Sequence, residues 1–480
     1  MRLYGRDGAV RLVHSFSVRD RNGPSPVVIV SGHAGSGKSA LLDYLEACLD
    51  QRVSYSRVNC GKRPDWRIPE VLSLLVHDLN KHCAAYGRIP FPRFIVGCIA
   101  MNADGIDHND PARAREQIHN LLEKHRKIPE LKKAITTILQ AAVAAVEPDV
   151  QVSPEVIELL LGGLISWTPV RRVVLGEGPN WYSHQDRGLR RDYRDVLAEL
   201  NRHAKGLTDD HGTEIDDLLL AAFLADLRAH FATRRGRRIP YNCVILLDDA
   251  DEPSGTNLLE ALKAAFHAHA DHGDAIGPIT VVATSRGPLI EPYVAPGEVL
   301  PTTDEASVGD YRGRGGWCYL VRLPDLALDQ VYAMVKDKEL REGNAADIAV
   351  TVHRFTRGHA GTTAELLAAI SERPADPAEP REVLERKRGR APAETVWARL
   401  LKLLLGDTPD PVRENLTTCA AARDLGEAGR LVGQGGLIDA EHAQVLTDAR
   451  IWLPGATAGA PRMLPVLRRL LLTRLADRPA

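Results

Sequence analysis

No apolar run in this 480-residue chain is long enough to cross a bilayer. The longest, Val156 to Trp167, also contains Glu158 and reads as a buried helix. The first 25 residues carry Arg2, Arg6, Asp7, Arg11, Arg19 and Asp20 and no apolar h-region, so no signal peptide is expected. Surplus charge is also missing. Lys and Arg number 61 against 63 Asp and Glu, a formal net charge of −2 with pI about 6.8. No global field therefore recruits nucleic acid or membrane. The seven cysteines form no C-x-x-C pair, which fits a reduced cytoplasmic chain with buried thiols. There is no N-K-x-D guanine-reading motif, and no nucleophile–base pair or second cofactor motif stands out. Chemistry on a small organic substrate is not expected.

What the chain does carry is concentrated near its start. Val27-Val28-Ile29-Val30 is a short β-branched run that reads as a buried strand. Gly32-His33-Ala34-Gly35-Ser36-Gly37-Lys38-Ser39 follows, a G-x-x-x-x-G-K-S loop, and then Ala40-Leu41-Leu42-Asp43-Tyr44-Leu45 at helical spacing. Strand, glycine-rich turn and helix start are the context a phosphate-binding loop requires. Gly32, Gly35 and Gly37 let backbone N–H groups converge on an anion. His33, Ala34, Ser36 and Ala40 complete the expected nucleotide contacts. Lys38 would reach the β- and γ-phosphates, and the Ser39 hydroxyl would ligate Mg²⁺. A glycine-rich turn alone could match by chance, but here both flanks agree.

Cys243-Val244-Ile245-Leu246-Leu247-Asp248-Asp249-Ala250-Asp251 supplies a second buried strand with carboxylates at its end. Ligands of open α/β sheets sit outside the carboxyl ends of the strands. Asp248 is therefore expected to hold Mg²⁺ beside the loop, and Asp249 to orient or deprotonate an attacking water. The plainer alternative is an acidic helix start. Ile279-Thr280-Val281-Val282-Ala283-Thr284-Ser285-Arg286 is a third such strand. Arg286 at its end could contact the γ-phosphate or be a surface arginine.

Together these pieces resemble the signal-transduction ATPases with numerous domains (STAND), relatives of AAA+ and NB-ARC proteins. Leu3-Tyr4-Gly5-Arg6-Asp7 is similar to that family's amino-terminal element, which implies that Gly5 and Arg6 lie by the adenine. Thr284-Ser285-Arg286 resembles the family's sensor. Tyr319 to Leu326 is similar to the strand and turn entering the helical lid, and Thr356-Arg357-Gly358-His359-Ala360-Gly361 to a lid helix start. Arg450 to Pro454 and Arg462 to Leu471 resemble the end of a winged-helix domain. The resemblance spans most of the chain apart from roughly residues 90–215. Two positions depart from it. Ala360 stands where relatives often carry a proline that packs on adenine, and Leu464 where many carry a histidine that reaches the nucleotide. By the resemblance, the usual latch on an ADP-bound closed state is then missing or is supplied otherwise.

The expected fold is α/β: a P-loop parallel sheet of AAA+/STAND type with a helical insertion, followed by a helical lid and a winged-helix domain. Its parts would be 1–300 (insertion 90–215), 301–373, a Pro-rich linker at 374–392, and 393–480. Among its details are a strand near 53–58 and helices over 328–337, 345–355 and 394–405. The resemblance implies an ATP-binding, slowly hydrolysing switch that uses ATP and Mg²⁺ and acts on a protein partner or on its own assembly. The rival is a DNA-binding ATPase of the origin-recognition or transposition-helper type, resting on Arg462, Arg468, Arg469 and Arg474. A third reading keeps the nucleotide purely structural. The Arg234-Arg235-Gly236-Arg237-Arg238 cluster reads first as a solvated helix end. His267, His269, Asp271 and His272 sit too close together for the usual zinc site, whose ligands come from separated elements.

Overall fold

The computed structural model describes residues 2–19, 27–49, 52–124, 178–184, 191–207, 213–270, 277–287, 302–303, 317–338, 340, 344–372, 380–389, 393–406, 408–434, 451–453 and 461–475. Much of the expected insertion, most of the 288–314 loop and both ends of the 374–392 linker lie outside the described residues. So does the His/Asp cluster beyond His267, apart from the backbone of His269.

A parallel five-stranded sheet organises the first part of the chain. Its strands are β1 (Val27–Ser31), β2 (Tyr55–Asn59), β3 (Cys243–Asp248), β4 (Ile279–Ser285) and β5 (Cys318–Arg322). They lie in the order β2-β3-β4-β1-β5. The three inner strands are uninterrupted apolar or hydroxyl runs and are buried almost throughout, as a parallel sheet covered on both faces demands. The edge strands β2 and β5 instead alternate buried and partly exposed residues. β2 starts at Tyr55, two residues later than the apolar pattern suggests. Arg52 and Val53 are held in a turn by the Leu49 carbonyl, and the Ser54 carbonyl already accepts from Val244.

Register decides what meets at the carboxyl edge. Ser31 pairs with Ser285 and Arg322, and Asn59 pairs with Asp248. The last residues of all five strands therefore face one end, where the loop after β1 enters the helix Lys38–Leu49.

Helices cover the sheet. Asp7–Ser17 packs near β4, and Ile68–Leu79 packs on β2 and against Thr213–Ala232. Thr213–Ala232 crosses the apolar helix Pro92–Met101, where Phe91 and Phe223 stack at 5.3 Å. Other helices cap both ends of Pro92–Met101. The buried Asp226 accepts from the amides of Arg93 (3.2 Å) and Phe94 (3.0 Å) and from the Arg93 guanidinium (2.9 Å). At the far end Asn201, from Tyr193–Ala204, donates to the Ala100 and Ala103 carbonyls at 2.8 and 2.9 Å. These side chains satisfy terminal groups that the helix itself leaves open.

Buried apolar residues from Ala9 to Leu323 form one core, and those from Leu326 to Leu471 form a second. The second core gathers Leu328–Asp337, Ala345–Thr356, Ala360–Glu372, Val396–Leu405, Asp410–Cys419 and Pro465–Leu475. Val383 and Leu384, within 380–389, are buried in it as well. Thr395 caps Val396–Leu405 by accepting from the Ala398 amide, so that helix starts two residues inside the expected range. Glu394 and Thr395 pair antiparallel with Lys387 and Arg388, and Trp452–Leu453 pairs with Arg462–Met463. Among the described residues no helix is long and apolar enough to cross a membrane.

Candidate functional site

The loop after β1 turns twice through left-handed backbone, at Gly35 (φ +76°) and Gly37 (φ +92°). A Cβ on Gly35 would lie 2.8 Å from His359 Cε1 and 3.2 Å from Leu403, so conformation and space both require glycine there. Such a turn aims amides into an anion-sized hollow at a helix start. The Ser36 hydroxyl is buried and has no hydrogen-bond partner.

Lys38 is 6 % exposed and folds back on the loop, donating to the Gly32 and His33 carbonyls at 2.5 and 2.9 Å. Burial, then the nearby Arg286 charge, pushes its ammonium down to about 8. His33 is pushed down to about 4 by burial and by Lys38 and Arg322. An incoming polyphosphate would meet a confined cation with no carboxylate in direct contact.

Across from Lys38, Ser39 Oγ donates to Asp248 Oδ1 at 3.2 Å. Asp248 is buried, and Thr284 Oγ1 donates to the same oxygen at 2.8 Å. The Asp249 amide donates to Thr284 Oγ1 at 2.9 Å, so this hydroxyl ties β4 to both acids. Asp249 itself sits at φ +51°, a left-handed position uncommon outside glycine, where asparagine and aspartate fare best. Arg286 Nη2 lies 3.1 Å from Asp249 Oδ1. Lys38, Ser39, Asp248, Asp249 and Arg286 are thus brought to one end of the sheet. The hydroxyl and carboxylate of Ser39 and Asp248 are hard oxygen donors of the kind Mg²⁺ takes.

Gly5 and Arg6 reach the loop from the amino terminus. The guanidinium of Arg6, a buried residue, donates to the Gly5 and Ser36 carbonyls, each at 2.8 Å. Ala40 lies in the first turn of the helix that Lys38 begins.

Three further residues join this assembly that the sequence did not single out as site residues. Arg57, on β2, reaches Asp248 Oδ2 at 3.3 Å and also pairs with Asp43 and Glu46 on the Lys38–Leu49 helix. Asp251 accepts from Ser285 Oγ at 2.7 Å and from the Arg286 amide, which anchors the end of β4. His359, buried, donates from Nε2 to the Ala34 carbonyl at 2.8 Å, with Nδ1 2.7 Å from Thr362 Oγ1. Beside it the Gly361 amide donates to the Gly35 carbonyl at 2.7 Å. The second core therefore grips the phosphate loop by its main chain. Only the alternation that leaves Arg57 on the half-exposed face of β2, and the glycine pair flanking His359 and Ala360, hint at these roles.

The arginines on which duplex binding would rest are mostly engaged. Arg468 Nε donates to the Ala420 carbonyl at 2.9 Å, Arg469 donates to the Arg354 carbonyl, and Arg474 lies 4.8 Å over the Trp397 ring.

Comparison with known proteins adds a family. Residues 2–272, more than half of the chain, match the family described as the AAA ATPase domain. No curated protein matches the chain. Among solved structures, the crystal structure of Cdc6p from Pyrobaculum aerophilum is similar at 13% identity and a TM-score of 0.33. The match covers 99% of this chain and 96% of that one, a likeness too distant to carry any assignment.

Proposed function

Because this chain belongs to the AAA ATPase domain family, we propose that it is an ATP-binding, slowly hydrolysing conformational switch of the STAND type. It couples nucleotide state to a protein partner or to its own assembly. Bound Mg²⁺, held by Ser39 and through water by Asp248, would neutralise charge on the phosphates. Lys38 leaves the Gly32 and His33 carbonyls and donates to the phosphate oxygens. Asp249 holds the attacking water and takes its proton. Arg286 steadies Asp249 before ATP arrives and supplies a planar cation to the γ-phosphate once it is present. Gly5 and Arg6 border the adenine. The units of the switch are the nucleotide-binding domain 1–300 with its insertion 90–215, the lid 301–373, the linker 374–392 and the winged-helix domain 393–480.

The observation that carries this reading is the pair of hydrogen bonds from His359 and Gly361 to the Ala34 and Gly35 carbonyls. A loop that reshapes around phosphate must shift those carbonyls, and through them the carboxyl-terminal helices. That is a direct mechanical link of the rigid-body kind.

The test is light scattering after size exclusion with ADP, with ATP and Mg²⁺, and with ATP plus a short DNA duplex. Each is run beside Asp249→Asn, which should trap ATP. A change in size that needs ATP but not DNA, and is lost in Lys38→Ala, is the expected result. A change that requires DNA overturns the switch in favour of a DNA-binding ATPase. No response to nucleotide makes the ligand structural.

A further inference from the structure

A cavity of about 390 Å³ opens between Ala85, Arg234, Arg235, Arg238, Ile239 and Pro240. Pro240 leads into β3, whose other end carries Asp248. At about 3.3 Å per strand residue the cavity and the acidic site are on the order of 20 Å apart. This is a second site, remote from the phosphate loop.

The arginines around it exceed what the local fold needs. They follow the helix Thr213–Ala232, whose carboxyl end presents roughly half a negative charge, enough for one cation. Arg234, Arg235, Arg237 and Arg238 crowd into five positions there. Among the described residues, no carboxylate forms an ion pair with Arg234, Arg235 or Arg238. The like charges of Arg234, Arg235 and Arg238 repel one another, and an anion between them would lower that repulsion.

The cluster is also held in place. Arg235 Nη2 donates to the Ala84 carbonyl at 3.2 Å. Gly87, at φ +73°, lets its backbone pass so close to Arg235 that a Cβ would lie 3.1 Å from Nη1. Arg19 pins the turn from behind, donating to the Gly236 carbonyl at 3.0 Å while its guanidinium lies 4.9 Å over the Phe231 ring. Burial and the Arg235 charge hold the neighbouring His230 imidazole below its ordinary value, as a positive local field would. The remaining wall, Ala85, Ile239 and Pro240, is apolar.

We propose that this cavity binds a small phosphomonoester, its phosphate on Arg234, Arg235 and Arg238 and its organic group against Ala85, Ile239 and Pro240. Guanidinium forks match phosphate oxygens two at a time. The volume falls within the range of small-ligand sites, roughly 300–1,000 Å³. Three arginines beside one short apolar wall suit one compact anion with an organic group, whereas a nucleic-acid backbone needs an extended basic track.

Phenyl phosphate is the probe, titrated calorimetrically into the full chain saturated with ADP and Mg²⁺ so that the phosphate loop is occupied. One saturable site is expected, with phenol inert. The Arg234→Gln, Arg238→Gln double variant should bind at least about tenfold more weakly through lost charge-assisted hydrogen bonds, and Ala85→Glu independently so, through a carboxylate that repels the phosphate and competes for the arginines. Lys38→Ala, without ADP, should bind as the parent does. The unliganded double variant should unfold at the same temperature or a higher one, because repulsion has been relieved. Absence of saturable binding, or binding by either cavity variant as tight as the parent's, overturns the proposal. So does loss of binding in Lys38→Ala, which would return the ligand to the nucleotide loop. A DNA duplex that displaces phenyl phosphate, with a salt dependence that flattens in the double variant, would replace it with a nucleic-acid surface.

Discussion

The guanidinium of Arg57 lies 3.3 Å from the Asp248 carboxylate, reaching from β2 to the end of the adjacent β3. It occupies the side of the acid that Ser39 and Thr284 leave open, since both of those hydroxyls donate to Oδ1. A cation already rests beside the position proposed for Mg²⁺.

Arg57→Gln should therefore act in opposite directions with and without metal. Without Mg²⁺ it leaves a buried carboxylate short of a partner, a cost of about 1–3 kcal/mol. With Mg²⁺ it removes a repelling charge, so the metal should bind several-fold more tightly. Thermal unfolding across a MgCl₂ titration checks this. The gap between variant and parent should be widest without metal and should close as metal is added. A constant gap would reduce Arg57 to a brace between β2 and the Lys38–Leu49 helix.

Lys38 carries a stability cost that its function imposes. Its ammonium is lowered from 10.5 to about 8, worth about 3 kcal/mol at 1.4 kcal/mol per unit. Between those values the unfolded chain binds more protons than the folded one, so the parent gains stability as pH rises through the window. Below pH 8 the whole cost is present. Lys38→Met should then be at least as stable as the parent without nucleotide at pH 7, by about 0–2 kcal/mol once two lost hydrogen bonds are subtracted, and should lose any advantage near pH 10. ADP affinity should vanish in the variant, and in the parent it should fall as pH passes 8. Denaturant melts at pH 7 and 9.5, with ADP titrations alongside, decide the matter.

The central sheet is legible in the sequence because β1, β3 and β4 must be largely apolar up to their carboxyl ends to lie between two helical layers. The helix expected over 328–337 forms at Leu328–Asp337 for a similar reason, since one buried stripe specifies it. The loop glycines are equally legible, because few other residues take their φ. The pairings of Arg57 and His359 are not. Their partners lie 191 and 325 residues away, at Asp248 and Ala34, and no local periodicity encodes such a pairing. The second core crosses the expected boundary at 374–392 because Val383 and Leu384, between runs of prolines and charges, pack inward. Two apolar residues are too short a run to read as an element.

His359 makes the grip on the phosphate loop sensitive to acid. It bonds the Ala34 carbonyl as a neutral imidazole, and burial holds it down to about 4 against an ordinary 6.5. The stability this represents is fully present above pH 6.5 and is lost as pH falls toward 4, because the unfolded chain takes up the proton first. His359→Gln keeps an N–H donor but does not titrate. Between pH 7 and 4.5 the parent should lose about 2–3 kcal/mol more than the variant. Equal losses in urea melts would mean that the imidazole is not buried against the loop. If the grip couples the two cores, ADP should also leave His359→Ala faster than the parent.

Asp249 separates backbone from chemistry. Its φ of +51° is tolerated by Asn and Gly, whereas Ala lacks both the freedom of Gly and the local hydrogen bonding of Asn, at a cost of about 1–2 kcal/mol. Asp249→Asn and Asp249→Gly should therefore melt near the parent temperature, and Asp249→Ala clearly below it. If the carboxylate is the base that takes the proton of water, all three should retain ATP affinity and lose turnover alike, by about 10²–10⁴-fold. Turnover that followed the melting order would mean that the shape of the turn, and not the carboxylate, supports hydrolysis. Turnover lost equally across variants of unequal stability would place the proton transfer on Asp249. The hydrogen bond from Arg286 to its Oδ1, at 3.1 Å, is then what keeps the base in position until substrate arrives.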